Sequence, residues 1–405
     1  MDATLNIVPS NESKPGNDLR GFFRKTSSPN VNGSMIGSII SSYYYIHMDT
    51  PIIDVADNLI HREDIYAIAV VDDNDHPAGI IDRRYLFDIV GKPFGRDLSV
   101  RKTIGEVAIP TQSFDYTTNI FTVSEKLGDN LYGKKIEYYL LEDHEKCFLG
   151  IFSTRDMLIY LSRMMRKDIA IARKLQLSIV PEKTIQDNKN IAILGTSLMA
   201  KGVGGDFYSF NRIKDNSWMI SICDVSGKGI GASLLTSIID GMTSIYDFSR
   251  PFEEFIVALN SYIFNNFERD NFITGAFAEI NEDTGEVTLF DLGHSHVYVL
   301  KDNRIVKLKS SKDNIPIGII DEYYPVPATF NLKKGEMLIL LTDGIVEEID
   351  SSGTPFGIER TAKILFQNRN MGLDVMQQKL IEEVISYRGG LPQHDDITLV
   401  MVEKR

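Results

Sequence analysis

Cysteine is almost missing from this chain. Cys147 and Cys223 are the only two among 405 residues, too few for a disulfide framework or a cysteine zinc site. A phosphocysteine mechanism needs an arginine six positions on, but Ser153 and Gly229 stand there instead. Long apolar runs are missing as well. The longest, such as MLILL at 337–341, fall far short of the roughly 20 residues that cross a bilayer. No basic region followed by an apolar core opens the chain, so no secretory signal is expected. Positive charge is in deficit: 43 Lys+Arg against 56 Asp+Glu leave a net −13. That balance argues against a broad grip on nucleic acid or an anionic membrane. Histidine is sparse, and neither HSH at 294–296 nor HD at 394–395 has a supporting His cluster, which argues against a histidine-metal hydrolase. GKGIGAS is not a Walker loop, because Ile222 occupies the place of its first Gly. The reading is of a cytoplasmic protein.

What is present has ordinary globular composition, 43% hydrophobic and 24% charged, at a length that suggests two or three domains. Residues 1–34, rich in Ser, Asn, Pro and Gly without hydrophobic period, are expected to form a disordered tail. A repeat follows over 35–165. IIDVADNLIHRE, YAIAVV, DDNDHP, AGII and RRYLFDIV are answered in order by IFTVSEKLGDN, IEYYLL, EDHEKC, FLGIF and STRDMLIYLSRMM. Each copy reads as helix, strand, polar turn, strand, helix, an α/β pattern in which Gly79 and Gly150 hold equivalent places.

This repeat resembles a tandem cystathionine-β-synthase (CBS) pair, and such pairs usually bind an adenine nucleotide between their sheets. The relevant pattern is a Gly ending a strand, a Ser or Thr, and an Asp three residues later; Gly150, Ser153 and Asp156 match it in GIFSTRD. A hydroxyl near a helix N-terminus can meet phosphate, and a carboxylate can accept from ribose hydroxyls. The other reading of Ser153 and Asp156 is plain helix capping. The first copy reads GIIDRRY, with Asp82 in place of the hydroxyl and Tyr85 in place of the carboxylate, so it departs from the pattern.

Residues 156–185 form the expected helical joint. Leu158, Leu161, Met165, Ile169, Ala172, Leu175 and Ile179 recur at three- and four-residue steps until Pro181 stops the helix. The stripe fits either packing on the chain's own domains or a parallel helix pair in a homodimer.

From about Asn190 to the end, strands alternate with acidic turns, and helical stretches lie near 230–266 and 357–388. This order predicts an α+β sandwich with helices outside the sheets. Four aspartates occupy strand ends: Asp206 in VGGDFY, Asp224 in CDVSGKG, Asp343 in LLTDGIVEE and Asp395 in HDDITLVMV. A single such Asp is commonly a turn residue or a cap. Four together suggest hard oxygen ligands at the rim of a core, suited to Mg²⁺ or Mn²⁺.

Residues 190–405 resemble the PPM-type serine/threonine phosphatases of the bacterial SpoIIE/RsbU-like branch. VGGDFY, DVSGKG-x-x-A-S-L, DLGHSH, NIPIGI, TDGIVE, FG-x-E-R and HDDITLV stand in that family's order, and ARKLQLSIVP resembles the element that precedes its catalytic domain. The resemblance implies an αββα sandwich joined by the long helix to the CBS pair. It also implies that Asp224 bridges two Mn²⁺ or Mg²⁺ ions, with the Val225 carbonyl and Asp206 on one and Asp343 and Asp395 on the other. A hydroxide bridging the ions would then attack phosphorus in line, while Asp396 and Thr398 orient ligands. Two departures stand out: Ser209 replaces a second family Asp, and Met199-Ala200 replaces an upstream Pro-Ala. No Arg near Asp206 marks a holder of substrate phosphate, and Lys201 reads as a solvated surface lysine. The implied substrate is a phosphoserine or phosphothreonine on a small regulatory protein resembling an anti-sigma-factor antagonist. The rival reading is a catalytically weak pseudophosphatase acting as a nucleotide-gated scaffold.

Overall fold

Parallel strands joined through a helix, each followed by a hairpin, build the first of two units, Met1–Met165; the second is Arg166–Arg405. The computed structural model describes residues 22–31, 33–268, 270–302 and 304–405. In the first unit, β1 (Arg24–Lys25), β2 (Tyr44–His47), β3 (Ala67–Val71) and β4 (Pro77–Asp82) lie side by side in that order. Helix α1 (Ile52–Ile60) carries the chain from β2 to its parallel neighbour β3, and α2 (Arg83–Val90) and α3 (Gly95–Ser99) follow β4. The second copy repeats this with β5 (Ser113–Asp115), α4 (Ile120–Leu131), β6 (Tyr138–Glu142) and β7 (Phe148–Ser153). Both hairpins carry a bulge at the same place, Val70/Val71 and Leu141/Glu142. The strands alternate faces. Ile68, Val70 and Ile81 pack against α1, whereas Ala69, Val71 and Ile80 meet Leu140, Phe148 and Ile151 of the other copy.

The expectation of a disordered tail over 1–34 needs narrowing. Residues 1–21 lie outside the described residues, but Arg24 and Lys25 pair with Tyr45 and Tyr44, and Phe22 and Phe23 pack on the first copy's core. The polar composition hid two aromatic anchors.

Helix α5 (Thr154–Ile179) runs 26 residues. The side chains that bury it are Met157 near its start and Gln176 near its end, both almost fully enclosed. Within the anticipated stripe, Leu158, Met165 and Leu175 remain 45%, 64% and 63% exposed.

In the second unit a six-stranded sheet has the order β15-β14-β17-β18-β9-β8, from β8 (Lys183–Asp187), β9 (Ile191–Leu198), β14 (Val297–Lys301), β15 (Arg304–Lys307), β17 (Met337–Leu341) and β18 (Ile397–Lys404). A five-stranded sheet has the order β10-β11-β12-β13-β16, from β10 (Asp206–Lys214), β11 (Ser217–Val225), β12 (Ile273–Asn281), β13 (Glu286–Leu292) and β16 (Ala328–Asn331). Helices α6 (Ile230–Ile245) and α7 (Phe252–Asn266) share a core with the five-stranded sheet; α8 (Asp343–Val346), α9 (Ile358–Asn368) and α10 (Leu373–Arg388) lie against the other. The MLILL run shows why both faces are apolar. Leu338 and Leu340 enter the core between the sheets, and Met337, Ile339 and Leu341 enter the core beneath α9 and α10. The sandwich is αββα.

Sheet-to-sheet contact is tightest at Gly195 of β9, where an added Cβ would stand 2.2 Å from the Tyr208 ring. Tyr208 cannot yield easily, because its hydroxyl donates to the Pro181 carbonyl at 2.7 Å. Gly195→Ala is therefore expected to lower the unfolding free energy by about 1–3 kcal/mol. Gly241→Ala, in an exposed part of α6 with open space around it, is expected to raise it by about 0.5–1 kcal/mol. Urea titrations of both variants check the pair; equal midpoints would contradict the packing assignment.

Candidate active site

The five carboxylates of interest emerge at one edge of the sandwich because of strand register. Asp206 opens β10 directly opposite Asp224, near the end of β11. In the other sheet Leu341 pairs with Leu399, so the residues just after β17 and just before β18 leave by the same end. Those residues are Thr342-Asp343 and Asp395-Asp396. Thr342 Oγ1 donates to Asp206 Oδ2 at 2.8 Å and accepts from the Thr398 amide at 3.0 Å, which ties the two sheets together.

Asp396 grips the loop that crosses between the sheets. Its Oδ1 accepts from the Ala200 amide at 2.7 Å, and its Oδ2 accepts from the Gly205 amide at 2.7 Å. The approach is close enough to demand glycine. A Cβ at Gly204 would stand 2.3 Å from Asp396 Oδ2, and one at Gly344 only 1.9 Å from the Asp396 carbonyl. At Gly205 a Cβ would lie 3.0 Å from the Val225 carbonyl oxygen, so the missing side chain leaves that oxygen uncovered.

Electrostatically, this edge is short of positive charge. Burial, Asp224 and Asp396 push the Asp206 carboxyl well above its ordinary value. Burial with Asp343, Asp395 and Asp396 pushes Asp224 up to about 7, opposed by Lys228. Lys228 supplies a cation: its Nζ donates to Asp395 Oδ2 at 2.6 Å. Carboxylates crowded until they resist ionisation, already recruiting an ammonium, suit hard divalent cations. The aspartates line a rim rather than a single point. Among the described residues, only His47, Asp49 and Asp73, in the first unit, bring three ligand atoms within 4.8 Å of one another. There His47 Nε2 is held by Asp73 at 2.9 Å and Nδ1 meets the Asp49 amide at 3.2 Å.

Several contributors escaped the sequence reading. Thr342 sits inside the TDG motif, but its role in joining the sheets depends on register. Gln176 is a polar residue on a mostly apolar helix, and that contrast was the available signal. Its Nε2 donates to the Gly204 carbonyl at 2.8 Å and its Oε1 accepts from the Gly204 amide at 3.0 Å. The end of α5 thereby clamps the peptide groups two residues before Asp206. Buried His294 of DLGHSH has its pKa lowered to about 3 by burial and by His296. Ser209, three residues after Asp206, faces the opposite side of β10, where its hydroxyl meets that of Ser221 at 2.8 Å. Lys201 is exposed, as a solvated lysine should be.

In the first unit, both copies line a cavity of about 490 Å³ whose walls include Ser42, Tyr66, Tyr138, Ser153, Arg155 and Asp156. Ser153 and Asp156 also cap α5: Asp156 Oδ2 accepts from the Ser153 amide at 2.9 Å and from its hydroxyl at 2.6 Å. Gly150 packs directly on Ile40, which a Cβ would meet at 2.7 Å. In the first copy Asp82 is itself the cap of α2, accepting from the Tyr85 amide at 2.8 Å.

Residues 214–405 match the family model for Stage II sporulation protein E (SpoIIE), and residues 36–92 match the CBS domain. The chain carries a SpoIIE-type phosphatase domain behind a CBS domain. It is 28% identical over 246 residues to phosphoserine phosphatase RsbU of Bacillus subtilis, covering 60% of this chain and 71% of that one. It is 27% identical over 218 residues to Stage II sporulation protein E of the same organism, covering 51% of this chain and 25% of that one. The SiaA-PP2C domain of Pseudomonas aeruginosa shares the fold, with a TM-score of 0.51 at 18% identity, over 60% of this chain and 99% of that domain. The CBS match ends at residue 92, so the second copy rests on its repeated topology. Among the described residues, no helix is long and apolar enough to cross a membrane.

The raised carboxyls of the SpoIIE-type domain make a stability prediction for metal-free protein. A folded carboxyl near 7 against an ordinary 3.8 means that the native state holds more protons than the unfolded chain between those values. Stability should therefore fall as pH rises through that window. Asp224→Asn should flatten the dependence and raise the metal-free melting temperature at pH 8, by about 2–4 °C per kcal/mol of relieved repulsion. Scanning calorimetry in chelator at pH 5 and pH 8 checks this; a wild-type protein that gains stability toward pH 8 would contradict it.

Proposed function

We propose that the chain is a metal-dependent phosphoprotein phosphatase of bacterial signalling, regulated through its CBS pair. The observation that carries the reading is the meeting of Asp206, Asp224, Asp343 and Asp395 at one edge, where burial and mutual repulsion hold two of them short of ionisation. Asp206, Asp224, the Val225 carbonyl, Asp343 and Asp395 would hold two Mn²⁺ or Mg²⁺ ions. Such ions supply an activated water and neutralise charge on the phosphoryl oxygens during in-line hydrolysis. The rest falls to the protein. Asp396 fixes the loop that presents Asp206, Thr342 holds the Asp206 carboxylate toward the second sheet, and glycines at 204 and 344 let the backbones close. The substrate is a phosphoserine or phosphothreonine on a small regulatory protein of the anti-sigma-factor-antagonist kind, which the RsbU-like resemblance favours.

Regulation follows the same chain of residues. An adenine nucleotide fits the cavity beside Ser153 and Asp156, where aromatic Tyr66 and Tyr138 offer faces to a base and Arg155 a cation to phosphate. Those capping residues start α5, and Gln176 at its far end holds the loop before Asp206. A ligand that binds one arrangement of the α5 cap better than another would shift that loop, with a coupling of about 1–3 kcal/mol. Leu158, Met165 and Ala172 lie seven residues apart with two of the three exposed, which favours a second copy of α5 as partner in a homodimer.

Turnover of an aryl phosphate should require Mn²⁺ or Mg²⁺ and should drop by orders of magnitude in Asp224→Asn, whereas Ser209→Ala should stay within about threefold. Near-normal turnover of Asp224→Asn in excess Mn²⁺ would overturn the assignment. A wild-type chain that binds nucleotide yet never turns over would favour the scaffold reading. Asp156→Ala should weaken nucleotide binding by about 1–3 kcal/mol. Calorimetry measures that loss, and a ligand-free melt separates it from the loss of the helix cap.

A further inference from the structure

We propose that Lys228 is the phosphate-holding residue of the active site, exchanging its carboxylate partner for the phosphoryl group of the substrate. The inference rests on the phosphatase reading above and assigns a role that no arginine near Asp206 fills.

Lys228 sits between Gly227 and Gly229, both in left-handed backbone with φ of +87° and +83°. Only glycine adopts such angles cheaply, so the pair forms a sharp bracket that projects residue 228 from the end of β11 ahead of α6. Open space surrounds the Gly227, Gly229 and Gly231 positions, where an added Cβ would meet nothing within 4 Å. The ammonium ends on Asp395 Oδ2 at 2.6 Å and lies 3.5 Å from the His394 carbonyl, while its side chain remains 48% exposed. It is thus a half-solvated cation reaching into a crowd of carboxylates from the open side.

That partnership holds only while Asp395 has negative charge to spare. With divalent cations on the carboxylates, Asp395 would be neutralised and the ammonium would face like charge. The 2.6 Å contact with Asp395 would then give way to repulsion. A flexible four-carbon stem lets the ammonium turn to the next strong acceptor at the mouth, and the arriving dianionic phosphoryl group is that acceptor. The first turn of α6 presents no acidic side chain and no side-chain cap to compete for it. Lys228 therefore acts twice on the same edge, as a competitor of the metal and as a ligand of the substrate.

The two roles predict opposite effects from one substitution. In the full chain, Lys228→Met should bind Mn²⁺ as tightly as wild type or up to about tenfold more tightly, because the competing ammonium is gone. The Mn²⁺-loaded variant should bind inorganic phosphate about ten- to a hundredfold more weakly, the usual loss for a charge-assisted hydrogen bond. The KM for an aryl phosphate should rise in step. Lys228→Arg should restore phosphate binding to within a few-fold. Calorimetry with Mn²⁺ alone, and then with phosphate on the Mn²⁺-loaded protein, measures both effects without requiring turnover. Weaker Mn²⁺ binding with unchanged phosphate binding in Lys228→Met would overturn the proposal and leave Lys228 as a residue that orders Asp395. A wild-type chain that binds Mn²⁺ and phosphate but fails to turn over would instead count against the phosphatase reading while the Lys228 comparison still stands.

Discussion

The Asp396 carboxylate is the constraint on which the rest of the carboxylate edge depends. It belongs to the strand end of one sheet, yet both of its oxygens are spent on amides of the loop that crosses to the other. Burying a carboxylate is costly, and here Asp395 adds repulsion, so the group sits above its ordinary pKa despite accepting from Ala200, Gly205 and Asp206. The backbone amides offset that cost only if the loop comes close, which is why Gly204 and Gly344 carry no side chains where they meet Asp396. The position of Asp206 then follows from its neighbours. It is held from one side by the loop and from the other by the Thr342 hydroxyl, and it faces Asp224 by strand register.

This arrangement explains which features were legible in the sequence. Alternation and apolar runs revealed the strands, since MLILL and DITLVMV must be buried on both faces to be so uniformly apolar. The repeat in the first unit was legible because both copies keep a polar turn between a buried strand and a strand with glycine at its third position. Aspartates at strand ends pointed to a rim, but their pairing across sheets could not be read without register. Ser209 shows the difference clearly. As a motif position it replaced an accessory Asp; as a strand residue it lies on the other face, bonded to Ser221. The α5 stripe shows a related limit, because apolar spacing identifies a helix face without saying what covers it. The residues that anchor the helix are Met157, which fell outside the stripe, and Gln176, which is polar.

Gln176 gives the joint its mechanical meaning. A buried amide that satisfies both peptide groups of one glycine is a rigid clamp, since loosening it would leave a donor and an acceptor unpaired in the interior at about 1–3 kcal/mol each. Its Nε2 also lies 3.3 Å from Thr236 Oγ1 in α6, the helix whose N-terminus follows Lys228. One side chain of α5 therefore touches the loop before Asp206 and the helix after Lys228. A small shift at the end of α5 has two routes to the carboxylate edge, and each is a short run of packed or hydrogen-bonded groups within the second unit.

The charge distribution sets the direction in which such a shift acts. At rest the edge holds more carboxyls than it can readily ionise, and Lys228 relieves only part of the crowding. Moving Asp206, at the start of β10, away from Asp224 would relax the crowding between them, so the edge without cations has an electrostatic incentive to open. Divalent cations held by these carboxylates would reverse that incentive, because opposite charge would draw Asp206 and Asp224 together across the register that pairs them. The Gln176 clamp opposes opening by holding Gly204 in place, and so favours the closed, cation-ready edge. Under the regulatory reading proposed above, a signal through α5 would need only to strengthen or weaken that clamp. The strongly coupled carboxylates would convert a small mechanical change into a change in cation affinity.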